Sequence, residues 1–169
     1  MVQKHQSLTT LSNRYHFIDL IEGVASSQKH FSLMLVDVMR FSDVSSAFDH
    51  RAGDEILLQI VNRIHDIYGN DLILGRISGD IFGLVFEGQH TEAAMLAKFQ
   101  YLVEHFKTPL HTNDTAFIAD FNVGMASRTR TEVTATKLIS LAEAALKQAK
   151  NNKHQNYSFV SDSENSVTG

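Results

Sequence analysis

A mixed α/β (α+β) fold is predicted, with a central mixed sheet of about five strands that includes a β-hairpin and is surrounded by helices. Three features of the 169-residue sequence predict it. Helical and strand periodicities alternate along the chain, which implies helices packed on a sheet. Two strand-like stretches are joined by a tight turn, which implies an antiparallel pair within it. One further stretch is apolar without interruption, as expected of a strand covered on both faces.

Taken in order, residues 1–6 read as a leader. Tyr15 to Ala25 places Phe17, Leu20, Ile21 and Val24 at helical spacing, with Ser12 or Asn13 as the cap. "FSLMLVDV", Phe31 to Val38, is the buried strand, closed by Asp37. Phe41 to Phe48 fits a short helix or an ordered loop. From Gly53, "GDEILLQIVNRIHDIY" lines up Ile56, Leu57, Ile60, Val61, Ile64 and Ile67, with Asp54 and Glu55 expected in the first turn, where the helix dipole favours anions. Leu72 to Ile77 and Ile81 to Phe86 form the hairpin. Thr91 caps a helix whose inward face is Met95, Phe99, Leu102 and Phe106, and Pro109 stands beyond its end. "AFIADFNVGMA" alternates strictly through Phe117, Ala119, Phe121, Val123 and Met125, so one continuous strand is expected there. Thr134 to Lys150 is helical, with Leu138, Leu141, Ala142, Ala145 and Ala149 inward, and "YSFV" is a last strand. Residues 161–169 read as a polar tail or linker with nothing to bury, which leaves 7–160 as one domain.

Composition narrows the function. The chain is 43% hydrophobic and 20% charged and has no cysteine, which excludes disulfides, thiolate metal sites and a cysteine nucleophile. A net charge of −4 argues against a nucleic-acid surface, which needs clustered cations to displace counterions. No run approaches the ~20 apolar residues of a membrane span, so a cytoplasmic location without direct membrane insertion is expected, including as the cytoplasmic part of a larger tethered protein. The nine histidines are scattered. His5, His16, His30, His65, His90, His105 and His111 read as surface or cap residues.

Two aspartates carry the chemistry. Asp37 closes the first strand, and Asp80 stands in the turn of "RISGDIFGLVF". If the strands are neighbours, both carboxylates emerge at one end of the sheet. Magnesium takes hard oxygen ligands and commonly binds through one or two carboxylates plus phosphate oxygens. Aspartate in such places is equally at home as a solvated turn residue or a helix cap.

Five ordered motifs decide between these readings. "SLTTLSNR" resembles "DxLTGLxNR", "LVDVMRFSDVSSAFDHRAGDEIL" resembles "LxDxDxFKxxNDxxGHxxGDxxL", and "RISGDIF" stands where "RxGGDEF" is expected. "FNVGMA" is similar to "xSxGxA", and "LAEAALKQAK" to "xADxALYxAK". Over residues 7–160 the chain resembles the GGDEF domain family, the diguanylate cyclases of bacterial cyclic-di-GMP signalling, whose fold is related to the nucleotide-polymerising palm and the nucleotidyl cyclases.

The resemblance implies magnesium held by Asp37, the Val38 carbonyl and Asp80, with Asp37 and Asp80 as the catalytic pair. It implies GTP held by backbone amides of Met39, Arg40, Phe41 and Ser42, by Lys150 at the phosphates, and by Ser45 and Asp54 at the guanine. His154 falls near a phosphate-contacting arginine of the family. The chain departs from the pattern at Ser45 for asparagine, Ser42 for lysine, Met39 for aspartate, Asp49 for glycine, Ser78 for the first signature glycine and Ile81 for its glutamate. "YGNDLILGR" keeps Asp71 but lacks the arginine of the family's inhibitory product site.

Losing one electrostatic stabiliser of a transition state costs ~10²–10³ in rate, and here several change together. The expectation is a degenerate module that binds GTP and magnesium, turns over weakly or not at all, and modulates a linked or partner domain such as an EAL phosphodiesterase. The alternative is an active diguanylate cyclase, working as a homodimer, that converts two GTP to cyclic di-GMP and two pyrophosphates. A phospho-acceptor receiver fits poorly, since "FSLMLVDV" has one acid, and an RNA-binding sheet is disfavoured by the acidic balance.

Overall fold

The computed structural model describes residues 13–39, 41, 50–89, 91–112 and 115–162. The side chain of Asn13 accepts the N–H of His16 and so starts helix α1, Arg14–Ser27, which buries Phe17, Ile21 and Val24. Strand β1, Phe31–Val38, follows and is buried at every position. Helix α2, His50–Tyr68, ends at Gly69, whose φ of +105° suits a glycine and whose N–H bonds the His65 carbonyl. The hairpin is β2, Ile73–Ser78, and β3, Ile81–Glu87. Thr91 caps α3, Glu92–His105, and Thr134 caps α4, Ala135–Asn151. Between them run β4, Leu110–Thr112, β5, Thr115–Phe117, and β6, Phe121–Arg128, and β7, Tyr157–Ser161, closes the fold.

The five-stranded sheet has the order β2-β3-β1-β6-β7, with β6 and β7 parallel and every other pair antiparallel. It is the mixed sheet with a hairpin that the sequence predicts. Because successive side chains of a strand face opposite ways, β1 feeds two cores. Phe31, Leu33 and Leu35 join Phe17 and Ile21 of α1 and Leu138, Ala142 and Leu146 of α4. Met34, Val36 and Val38 join Ile56, Ile60 and Ile64 of α2 and Met95, Phe99 and Leu102 of α3.

Two glycines let the first of these layers close. A Cβ on Gly83 would stand 2.5 Å from the Phe17 ring. One on Gly124 would stand 2.2 Å from the Leu146 nitrogen and 2.4 Å from the Ala142 oxygen, so α4 lies backbone against backbone on β6.

Several expectations need correction. The strictly alternating stretch is two strands: residues 115–117 pair with β4 in a separate ribbon, and 121–128 pair with β1. Residues 118–120 belong to neither, and the Asp120 carbonyl accepts the Met39 N–H at 2.8 Å. The β4–β5 ribbon is too short to show a period, and it is held from α2. The Gln59 side chain bonds both backbone groups of His111, and Arg63 bonds the carbonyls of Thr108 and Pro109.

Helix α2 begins at His50, so Asp54 and Glu55 lie beyond its first turn and the dipole argument for them lapses. His65 is buried, 4% exposed, with Nδ1 3.3 Å from the Gly69 carbonyl. The short helix or ordered loop expected over Phe41 to Phe48 lies outside the described residues except for Phe41, which packs on the α2–α3 core. Ser161 ends β7, and Asp162 is 1% exposed. Its carboxylate accepts the N–H of Thr129 at 2.7 Å, the Thr129 hydroxyl at 2.7 Å and the N–H of Arg130 at 3.0 Å.

Two outcomes are expected. Gly124→Ala should cost about 2–3 kcal/mol in denaturant unfolding, because the added methyl meets helix backbone that cannot rotate away. The hydrogen bonds hold the Asp162 carboxyl below the usual aspartate value despite its burial. Its stabilisation is therefore complete above the unfolded value of ~3.9 and is lost as pH falls through the folded one. Asp162→Ala should cost roughly 2–3 kcal/mol at neutral pH, and less of that should remain in acid.

Candidate functional site

Register brings the site residues together at the end of the sheet where β1 finishes. Asp37 faces Ile81 of β3 on one side and Asn122 of β6 on the other. The Val38 N–H bonds the Asp80 carbonyl at 3.2 Å, so the hairpin turn is anchored directly to the exit of β1. The turn is braced from within: the Arg76 guanidinium donates to the Gly79 carbonyl through Nε at 2.9 Å and Nη2 at 2.5 Å, across a register shift between Arg76 and Ser78. Among the described residues, the chain neighbours aside, no atom lies within 4 Å of where a Gly79 Cβ would stand, so these residues leave open space beside the turn.

Being on the α1–α4 face of β1, the Asp37 side chain is 95% buried at the residue level, and it meets the last turn of α4. Lys150 Nζ lies 2.6 Å from Asp37 Oδ2, with the lysine side chain half exposed. Burial raises the Asp37 pKa above the ordinary carboxylate value and the Asp80 charge raises it further, while the hydrogen bond and charge of Lys150 work against both. Asp80 is thus among the charges that act on Asp37.

Alone, this donor set suits a hard divalent ion: carboxylate oxygens, one of them deeply buried, beside open space for further oxygens. Among the described residues no group of three or more His, Asp or Glu is clustered for a metal. The phosphate oxygens of a ligand would have to complete the set.

The remaining expected site residues are distributed as follows. Met39 directs its N–H to the Asp120 carbonyl, so that amide is already engaged. Arg40, Ser42 and Ser45 lie outside the described residues. Phe41 is half-buried in the core, and Asp54 is exposed on α2. His154 lines an open hollow of about 610 Å³ past the end of α4 with Gln148, Asn151, Lys153 and Ser158.

Two participants escaped the sequence reading. Asn122, half-buried beside Asp37, lies within the quoted "FNVGMA", but only the register shows which carboxylate it adjoins. Arg14 donates to both oxygens of Glu143 at 2.8 and 3.2 Å, tying the start of α1 to the middle of α4. The signal for that pair was present, since each residue sits in one of the five motifs.

Comparison with known proteins places the chain by sequence and by fold. A sequence model described as "Diguanylate cyclase, GGDEF domain" matches residues 3–156. The chain is 25% identical over 164 residues to the signaling protein YkoW of Bacillus subtilis, covering 93% of this chain and 20% of that protein. It is 28% identical over 167 residues to MucR of Pseudomonas aeruginosa, a bifunctional diguanylate cyclase/cyclic di-GMP phosphodiesterase, covering 95% and 24%. The chain therefore spans about a fifth to a quarter of those relatives. Among solved structures, Vibrio cholerae LapD, an S helix-GGDEF-EAL protein bound to c-di-GMP, superposes with a TM-score of 0.77 at 21% identity, over 93% of this chain and 36% of that one. At that identity the likeness concerns the fold. Among the described residues no helix is long and apolar enough to cross a membrane.

An ionised, buried Asp37 costs stability, and the sign of its raised pKa fixes the pH window. The cost is absent below the unfolded value of ~3.9 and complete above the raised folded value. Asp37→Asn should therefore melt higher than the wild type at neutral pH, with the difference shrinking as pH falls through that interval. Melting curves for both proteins from pH 4 to 8 measure it.

Proposed function

The chain belongs to the GGDEF domain family of diguanylate cyclases, a module of bacterial cyclic-di-GMP signalling, and from that premise we propose that it is a degenerate, regulatory member. It takes GTP with magnesium, converts it feebly or not at all, and modulates a linked or partner domain such as an EAL phosphodiesterase. The working module is the expected 7–160 span extended through Asp162, which is buried against Thr129 and Arg130. The parent protein carries a sensor domain, an EAL domain or both, and holds this module on the cytoplasmic side.

The observation that carries this reading is the pairing of Asp37 with Ile81. The position matching the signature glutamate lies directly beside the buried carboxylate, and here it is a branched hydrocarbon packed against the α1–α4 core. A charge that belongs next to the reacting phosphates is replaced by a group that cannot bind a cation, orient a donor or exchange a proton. The binding elements fare better. Asp37, Asp80 and the Val38 carbonyl would hold magnesium, which when bound neutralises phosphate charge. Lys150 reaches the same rim and would meet the triphosphate, and Asp54 is exposed and free to meet the base. MucR and LapD, each combining these domains or activities by name, support the pairing with an EAL domain.

A second reading, an active cyclase in which two subunits each present one GTP, draws support from the survival of Asp37 and Asp80 at one rim. Incubation with GTP and magnesium separates the two. The expected result is GTP binding with cyclic di-GMP formation at least ~10²-fold below that of an intact family member. Robust turnover would overturn the regulatory reading. Asp80→Ala should weaken magnesium-dependent GTP binding by about 10–100-fold or more, the loss typical even of a residue one step removed from a metal. Titration calorimetry with and without magnesium reads it.

A further inference from the structure

The ion pair at the rim raises a question of order. Lys150 Nζ sits 2.6 Å from Asp37 Oδ2, on a carboxylate that is otherwise almost wholly buried. A cation arriving at Asp37 meets an ammonium already there. The neighbours explain why Lys150 settles on this carboxylate. Across the sheet Asp37 is flanked by Ile81 and Asn122, neither of them charged, and among the described residues the charged groups that act on Asp37 are Asp80 and Lys150.

We infer that Lys150 is an internal counter-ion of Asp37 that must leave before a divalent cation can bind, so that metal and a phosphate-bearing nucleotide load together. The nucleotide gives Lys150 a new partner, and the vacated carboxylate then accepts the metal. This rests on the proposed GTP and metal site and adds its order of filling. Physically, the pair stores the same charge neutralisation that the metal would provide. A metal alone must displace an ammonium at 2.6 Å with no compensating anion, whereas a metal with a triphosphate exchanges one set of ion pairs for another. Coupling of this kind is reciprocal: nucleotide raises metal affinity by the factor by which metal raises nucleotide affinity.

The test uses manganese(II), whose free aqua ion is counted directly by electron paramagnetic resonance, and a non-cleavable GTP carrying an α,β-methylene bridge. The expected result has opposite signs. Lys150→Met should bind manganese without nucleotide about tenfold more tightly than the wild type, within the usual range of such couplings. The same variant should bind the nucleotide analogue more weakly, because the triphosphate loses its ammonium. Lys150→Arg, which keeps the charge, should retain the low metal affinity of the wild type. Adding Asp37→Asn to Lys150→Met should abolish the gain. Circular dichroism confirms that each variant is folded, as expected for the exposed helix position of Lys150 and for a near-isosteric change at Asp37.

If Lys150→Met binds manganese no better than the wild type while both still bind the analogue with metal, the counter-ion inference is overturned and the GTP site stands. If no variant binds manganese or analogue, both fail. If Lys150→Arg gains as much as Lys150→Met, the effect is not one of charge and the inference again falls.

Discussion

The contact between α4 and β6 at Gly124 is the constraint on which the site depends. A helix normally stands off a sheet by the length of two side chains, but here the Leu146 nitrogen and the Ala142 oxygen occupy the space a methyl would need. One helical turn beyond Leu146 lies Lys150, and the close approach is what lets its ammonium come down to the end of β1. The same helix is tied at its middle to the start of α1 by the paired bonds from Arg14 to Glu143. Position 124 thus sets the height of a charged group several residues away.

Under that layer, β1 acts as the spine. Its alternating side chains feed both cores, and no position along it is exposed. A strand so placed tolerates an ionisable group only at its end, and Asp37 is there, one residue from the last. Burial disfavours its charge, Asp80 disfavours it further, and Lys150 compensates. A carboxylate in this position is under electrostatic tension, a common condition of sites that hold cations. The turn carrying Asp80 is rigid in its own right, through Arg76 and through the bond from Val38. It is the backbone, through the bond from the Val38 N–H to the Asp80 carbonyl, that ties the Asp80 turn to the exit of β1.

One departure from the family pattern and two retained residues have a definite place in the fold. Ile81 alters the chemistry of the rim, since it stands beside Asp37 and packs into the apolar layer. Asp54 and Lys150 keep the family's residue types at places that face outward or towards the rim. On the function proposed above, this combination suits sensing a nucleotide more than consuming it.

The sequence by itself determined most of the element order, the hairpin, the doubly buried β1 and the cap at Thr91, and it narrowed the first cap to Ser12 or Asn13. These features follow from periodicity and from the needs of free backbone groups close along the chain, so a reader of the string can find them. It also supplied the family, through five motifs in order, and with it Asp37, Asp80 and Lys150 as a set.

It could not show that "AFIADFNVGMA" breaks into two strands, because alternation persists across the break while the pairing partner changes. Nor could it show that Asp162 is buried among Thr129 and Arg130, or that His65 is buried at the end of α2. Their neighbours come from distant segments or from the packing of a layer. Tertiary structure alone decided that Ile81 and Asn122 flank Asp37 and that Lys150 rests on it. Register across a sheet and the standoff of a helix depend on which backbones approach, and local sequence does not encode that distance.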